Sequence, residues 1–274
     1  MDEFGHAPAG IDPTVPNIAR MYDYYLGGKD NFPADREAAE KMLAIGRQMG
    51  NDGREIAREN RGFLGRAVRH LAESGVTQFI DIGAGLPTQE NVHQVAQRHA
   101  PGARVVYVDN DPVVLVHARA LLADNPDTIV LDGDLHDPVA VFDHPQVRAH
   151  IDFSRPFAVL LVSVLHFVIE DEEAERIVAQ VRERLVPGGA LVLSHIFRGD
   201  VKEEIVEASK KVYSATRSGG LTGRTLEQIA SFFDGLEIVE PGIVPVQAWR
   251  PDVPWEVPTD PGDSGILGAV GRKP

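Results

Sequence analysis

The stretch Phe79-Ile80-Asp81-Ile82-Gly83-Ala84-Gly85-Leu86-Pro87-Thr88 decides the fold. It reads as an apolar strand that breaks on two glycines spaced G-x-G and then leads into a helix. Glycines there permit a tight turn and let the backbone approach a ligand without a Cβ clash. A dinucleotide fingerprint would need a third glycine near Leu86–Thr88, and none stands there. Pro87 also lacks a backbone donor, which weakens the case for a pyrophosphate seated on a helix N-terminus. A lone G-x-G serves equally well to pack a strand against a helix, so the neighbouring segments have to arbitrate.

Working outward, 76–82, 104–109, 128–132, 157–163 and 190–195 are short runs rich in β-branched and apolar residues. Helical spacing fills the intervals, most clearly over 113–123 and 174–185. Strands alternating with helices predict βαβ units in a doubly wound, mostly parallel sheet. The unbroken run 157–162 suits a central strand buried on both faces. Upstream, Ile18, Met21, Tyr22 and Tyr25 predict a helix stopped by Gly27-Gly28. Ala38, Met42, Ile45 and Met49 predict a second. Ile56, Phe63, Ala67 and Leu71 predict a third, stopped at Gly75. After Glu240 a Pro-rich stretch with Trp249 and Trp255 is expected as a surface excursion before a last strand, 266–270.

Ligands of doubly wound sheets bind beyond the carboxyl ends of the strands. The second strand ends Val105-Val106-Tyr107-Val108-Asp109, about two dozen residues after the glycines. A carboxylate there can accept both ribose hydroxyls of an adenosine ligand. Asn110 and Asp111 compete for that role, but Asp111 before Pro112 also reads as a helix N-cap. The third strand ends Asp132-Gly133-Asp134-Leu135, which places Asp134 to accept from an exocyclic adenine amine. Alone, Asp132-Gly133 would read as a turn.

The order D-I-G-A-G, Y-V-D, D-G-D-L, L-V-S-V-L-H-F and L-V-P-G-G-A-L-V-L resembles the class I S-adenosylmethionine-dependent methyltransferases over about two-thirds of the chain. Residues 17–36, carrying I-A-R-M-Y-D-Y-Y-L-G-G-K-D-N-F-P-A-D-R, and F-F-D-G-L-E-I-V-E-P-G are similar to an actinobacterial subgroup of that family. The resemblance implies a Rossmann-like, seven-stranded sheet whose last strand is antiparallel. It places methionine near Gly83 and Gly85, ribose on Asp109 and adenine beside Asp134 and Leu135. Asp81, Asn110 and Ser163 complete the strand-end candidates for cofactor binding. S-adenosylmethionine is thus the expected cofactor, with no metal.

Composition agrees. Of 274 residues, 27 are basic and 41 acidic, so the net charge is −14. Nucleic acid and anionic membranes need a positive footprint that such a balance disfavours. The absence of cysteine excludes disulfides, thiolate metal sites and the radical branch of S-adenosylmethionine chemistry, which needs a thiolate-bound cluster. No basic and apolar leader and no membrane-length apolar run is present, so a cytoplasmic protein is expected.

His166, just past the fourth strand, is the candidate catalytic base, since its ordinary pKa suits that work. A purely structural histidine at this place is the competing reading, and His195 is a weaker candidate of the same kind. Residues 1–62 are expected to form a helical cap or lid, and residues 63–274 the methyltransferase domain. In the cap, where Phe32 and Lys29 also cluster, Arg20 or Asn31 would meet the cofactor's carboxylate, and Tyr22, Tyr24 and Tyr25 would line the acceptor pocket. Alternatively these aromatics simply dock the helix. The expected partner is a small-molecule O or N acceptor. The rivals are a protein that binds the cofactor without turnover and a nicotinamide-dependent oxidoreductase.

Overall fold

A computed structural model describes residues 11–48, 50–87, 90–122, 125–216, 219–253 and 265–274. Three helices come first: α1 (Ile18–Tyr25), α2 (Pro33–Gln48) and α3 (Gly53–Glu73). The alternating region follows as β1 (Gln78–Ile82), α4 (Val92–His99), β2 (Arg104–Asp109), α5 (Pro112–Leu121), β3 (Thr128–Asp132), α6 (Pro138–Asp143), α7 (Pro145–His150) and β4 (Ala158–Val162). A 3-10 turn at Leu165–Phe167 leads into α8 (Asp171–Arg184), β5 (Ala190–Ile196), α9 (Glu203–Tyr213) and α10 (Leu226–Ser231). The chain closes with β6 (Glu237–Ile238), β7 (Val244–Pro245) and β8 (Ile266–Arg272).

The sheet runs β3-β2-β1-β4-β5-β8-β6, with β7 as a further neighbour of β8. β1 to β5 are parallel, and β8 enters antiparallel between β5 and β6. The expected seven strands are the continuous path, and the eighth is the two-residue β7. Strand order reverses between β1 and β4, the crevice where ligands of such sheets bind.

Alternation along the strands splits the core in two. Ile80, Ile82, Val159 and Leu161 face the layer built by Phe142, Phe157, Ile177 and Val181. Phe79, Ala158 and Leu160 face Phe63, Leu64, Leu71 and Trp249. A third, smaller cluster of Met21, Ala38, Ala39 and Tyr213 joins α1 and α2 to α9. Local signals set the helix ends. Asp52 caps α3, Asp111 caps α5 with Pro112 in the first turn, and Gly75 ends α3 at φ +95°.

Two expectations change. The helix after β1 starts only at Val92, capped by Asn91 and Gln94, so no described helix begins at the glycine turn. Leu86 is buried against Val113 and Val114 where a third glycine would have allowed close helix packing. The excursion after Glu240 is not wholly a surface loop. β7 pairs with β8, and Trp249 is fully buried edge-on against Phe63. Trp249 is therefore core, and Trp255 and Met49 lie outside the described residues. No described helix is long and apolar enough to cross a membrane.

Candidate active site

The carboxyl ends of β1 to β4 open onto one cavity of about 1270 Å³ that α1, α2 and α9 also wall. Gly83 and Gly85 adopt φ +76° and +67°, a region costly to any residue with a Cβ. Gly83 and Ala84 donate to the Val108 carbonyl at 2.8 and 3.1 Å, which pins the turn to β2. A methyl at Gly83 would collide with Val164, whereas Gly85 has open space beside it.

Asp109 organises the second strand end. Its Oδ2 accepts from the Gly85 N–H and its Oδ1 from the Asp111 N–H, both at 2.9 Å. Burial raises its pKa, against the lowering effect of these bonds. Asp111 is the N-cap that the sequence suggested, accepting from Val113 at 2.7 Å and Val114 at 3.4 Å. Asn110, Asp134 and Leu135 all line the cavity, with Asp134 exposed and accepting from the His136 N–H at 2.9 Å.

Asp81 is buried at the end of β1. Burial pushes its carboxyl up to about 7, opposed by the Arg61 guanidinium and reinforced by Asp109. Arg61 also lines the cavity. It donates to Asn91 Oδ1 at 3.1 Å, and its Nε is buried without a partner. Sequence reasoning missed Arg61. The available signal was its register on α3, where it falls four residues after Ala57 and three before Leu64, on the inward stripe.

Ser163 lines the cavity with φ +55°, unusual for a residue with a side chain. Its N–H donates to Ser194 Oγ at 3.0 Å, Ser194 Oγ donates to Asn60 Oδ1 at 2.7 Å, and Asn60 Nδ2 donates to the Tyr22 hydroxyl at 3.0 Å. Buried bonds thus join the end of β4 to α3 and α1. His166 lies in the 3-10 turn, buried, with Nδ1 lacking a partner. Burial, then His195 and Arg224, hold its imidazole well below the ordinary range, so it is neutral at pH 7.

Three sequence-predicted roles fail on geometry. Arg20 does not line the cavity. Its Nε donates to Asp35 at 2.8 Å, its Nη2 to the Val15 carbonyl at 2.8 Å, and its Nη1 lies 3.6 Å from Asp111. Asn31 is likewise consumed within its own loop, donating to Asp23 at 2.8 Å and the Gly28 carbonyl at 3.1 Å. His195 is clamped. The buried Arg224 donates to its Nε2 at 2.8 Å, so Nδ1 carries the proton and donates to the Ile196 carbonyl. Burial holds its pKa near about 3. Of the cap aromatics, Tyr22 and Tyr25 reach the cavity. Tyr24 instead bonds Glu40 at 2.7 Å, and Phe32 lies under the Arg20 guanidinium.

A family model described as S-adenosyl methyltransferase matches residues 5–274. The chain belongs to the S-adenosyl methyltransferase family. S-adenosylmethionine is therefore its cofactor and methyl donor. This methyltransferase is similar in structure to a protein of Thermobifida fusca YX assigned as a methyltransferase, with TM-score 0.88 and 42% identity over 97% of this chain and 98% of that one. A DUF574 family protein of Streptomyces avermitilis MA-4680 matches with TM-score 0.86 and 40% identity over 96% and 99%. A shorter match, 32% identical over 126 residues, is to a carboxy-S-adenosyl-L-methionine synthase of Pseudomonas fluorescens. It spans 45% of this methyltransferase and 47% of that protein, about half the length of each.

Proposed function

We propose that this methyltransferase acts on an O or N atom of a small molecule held inside the cavity. The observation that carries the proposal is the charge layout around the glycine turn. A carboxyl and a guanidinium, Asp81 and Arg61, feel each other's charge and line the cavity with Gly85, and a second carboxyl, Asp109, is tied to the Gly85 N–H. That layout complements a zwitterionic amino acid joined to a nucleoside. S-adenosylmethionine, when bound, supplies an electrophilic methyl whose bonding electron pair stays on sulfur as S-adenosylhomocysteine forms.

Each Asp109 oxygen accepts one backbone N–H and keeps a lone pair for a ribose hydroxyl. Asp134 and Leu135 take the adenine edge, and Asn110 stands beside the sugar. Asp81 receives the ammonium and Arg61 the carboxylate, the role first expected of Arg20 or Asn31. An unpartnered buried Nε is costly until such an acceptor arrives. Ser163 and His166 face the acceptor. His166 is neutral at working pH and so accepts a hydrogen bond without first losing a proton.

Residues 1–62 act as the cap and residues 63–274 as the methyltransferase domain, with α3 continuous across that division. The acidic balance favours a small-molecule acceptor over nucleic acid. A nicotinamide dinucleotide finds less here, since no described helix N-terminus begins at the glycine turn to receive a pyrophosphate.

Calorimetric titration with S-adenosylhomocysteine tests the assignment. Asp109→Ala should cost roughly 1.5–3 kcal/mol of binding, because a charged acceptor is lost. Unchanged dissociation constants in folded Asp109→Ala and Arg61→Ala would remove both residues from the cofactor site. Release of S-adenosylhomocysteine with candidate acceptors separates an enzyme from a protein that only binds.

A further inference from the structure

A second part of the cavity wall is built differently from the strand ends. α9 is 11 residues long, yet Tyr213 is its one buried residue. Ile205, Val206, Ser209 and Tyr213 fall at i, i+1, i+4 and i+8, a single helix face, and all four line the cavity. A helix with an apolar stripe gains its stability by covering that stripe. Here Ile205 and Val206 are only partly buried, and both line the cavity.

The neighbouring surfaces are rings and a thioether. The Tyr213 ring lies 5.7 Å from Phe167, and Phe167 lies 4.5 Å from His166. Met42 of α2 lines the same space. The charges on this side are exposed and offset one another. Lys210 pairs with Glu207 at 2.8 Å and Arg198 with Glu203 at 3.5 Å. Lys202, Asp200 and Glu204 line the same cavity, and all three are exposed. Among the described residues no buried, unpaired cation lies on this side to meet an anion, and the net charge of −14 repels one at a distance. Size also matters, since about 1270 Å³ exceeds the roughly 300–1,000 Å³ of a pocket for one drug-sized ligand. Room remains beside the cofactor.

We infer that the methyl acceptor is an uncharged aromatic molecule that seats its ring against the α9 stripe, Phe167 and Met42. The inference rests on the cofactor assignment above for the other end of the cavity. Aromatic rings match this wall because edge-to-face and sulfur–ring contacts add to plain area burial. Ile205 and Val206, at the partly buried start of the stripe, set the preference for an apolar ligand.

The test titrates the full chain with 2-naphthol, uncharged at pH 7, and with 2-naphthoate, which has the same rings and a charge. Each titration is run with and without S-adenosylhomocysteine and followed by naphthol fluorescence and calorimetry. Naphthol should bind at least tenfold more tightly than naphthoate. Ile205→Asp, in the first turn of α9, should weaken naphthol at least tenfold and leave the S-adenosylhomocysteine affinity unchanged, and Ile205→Leu should restore naphthol. No naphthol binding, equal binding of naphthoate, or an unaltered Ile205→Asp variant would overturn the inference. Naphthol binding without any S-adenosylhomocysteine binding would support it and sink the cofactor assignment instead.

Discussion

At the residue scale, Asp81 gives the sharpest pH dependence. Its carboxyl moves from an ordinary 3.8 to about 7 in the folded chain, so the fold holds the proton more tightly than the unfolded chain does. Below about pH 4 both states are protonated, and between about 4 and 7 the unfolded state ionises first. Stability conferred by the neutral form is therefore lost as pH rises through that window. Asp81→Asn should stabilise the ligand-free protein at pH 8 by on the order of 2–4 kcal/mol and change little at pH 4. Thermal unfolding curves that shift equally with pH in both proteins would refute this. Cofactor affinity should move the opposite way, rising with pH toward 7 as Asp81 becomes free to meet an ammonium, and titrations of Asp81→Asn should be flat. The two glycines separate as well. Gly85→Ala should fold at a cost of about 1–2 kcal/mol for its left-handed backbone and lose cofactor affinity, measured by calorimetry. Gly83→Val should instead fail to fold well, because Val164 occupies the space. That Asp109, Asn110 and Asp134 would line a cavity was legible in the sequence because strand ends announce themselves. Arg61 was not, because an arginine on a helix reads as solvated until its register is set against Ala57 and Leu64.

At the element scale, Arg224 ties the turn after β4 to the end of β5. It is buried, and it donates to the carbonyls of Leu165 at 3.3 Å and Val168 at 2.9 Å, to His195, and to Asp171 at 2.9 Å. Arg224→Ala would strand several buried acceptors, at a cost of about 3 kcal/mol. Denaturant unfolding checks that figure, and a loss under about 1 kcal/mol would mean water replaces the clamp. The same variant removes a cation from beside His166, whose imidazole pKa should rise in NMR titrations. The parallel strands were legible because buried β-branched runs are conspicuous. α9 and β7 were not. An amphipathic helix that covers a cavity has too few buried positions to show a clean period, and a two-residue strand has no period at all.

For the whole molecule, residues 1–62, proposed above as the cap, are tied to the sheet by polar contacts at separate places. Asn60 accepts from Ser194 of β5 at 2.7 Å, Arg20 reaches Asp111, and Asp30 lies 3.4 Å from His117 of α5. Bound cofactor should protect the segment around Gly27–Asn31 from limited proteolysis, and equal cutting rates would make the cap a static support. Deleting residues 1–34 should leave the sheet folded with weaker cofactor binding, read by circular dichroism and calorimetry. A different dependence follows from the sheet path itself. Among the described residues β6 and β7 pair with β8 alone, and β8 pairs along its whole length with β5. As the ribosome delivers the chain, β1 to β5 can zip up in turn, each on a strand already made. Residues 237–245 then have no strand to join until 266–272 emerge and slide in beside β5. The last stage of folding is thus one long-range docking event, slow by the usual relation between rate and loop closure. Until it happens the β5 edge stands bare to chaperones and to other nascent chains.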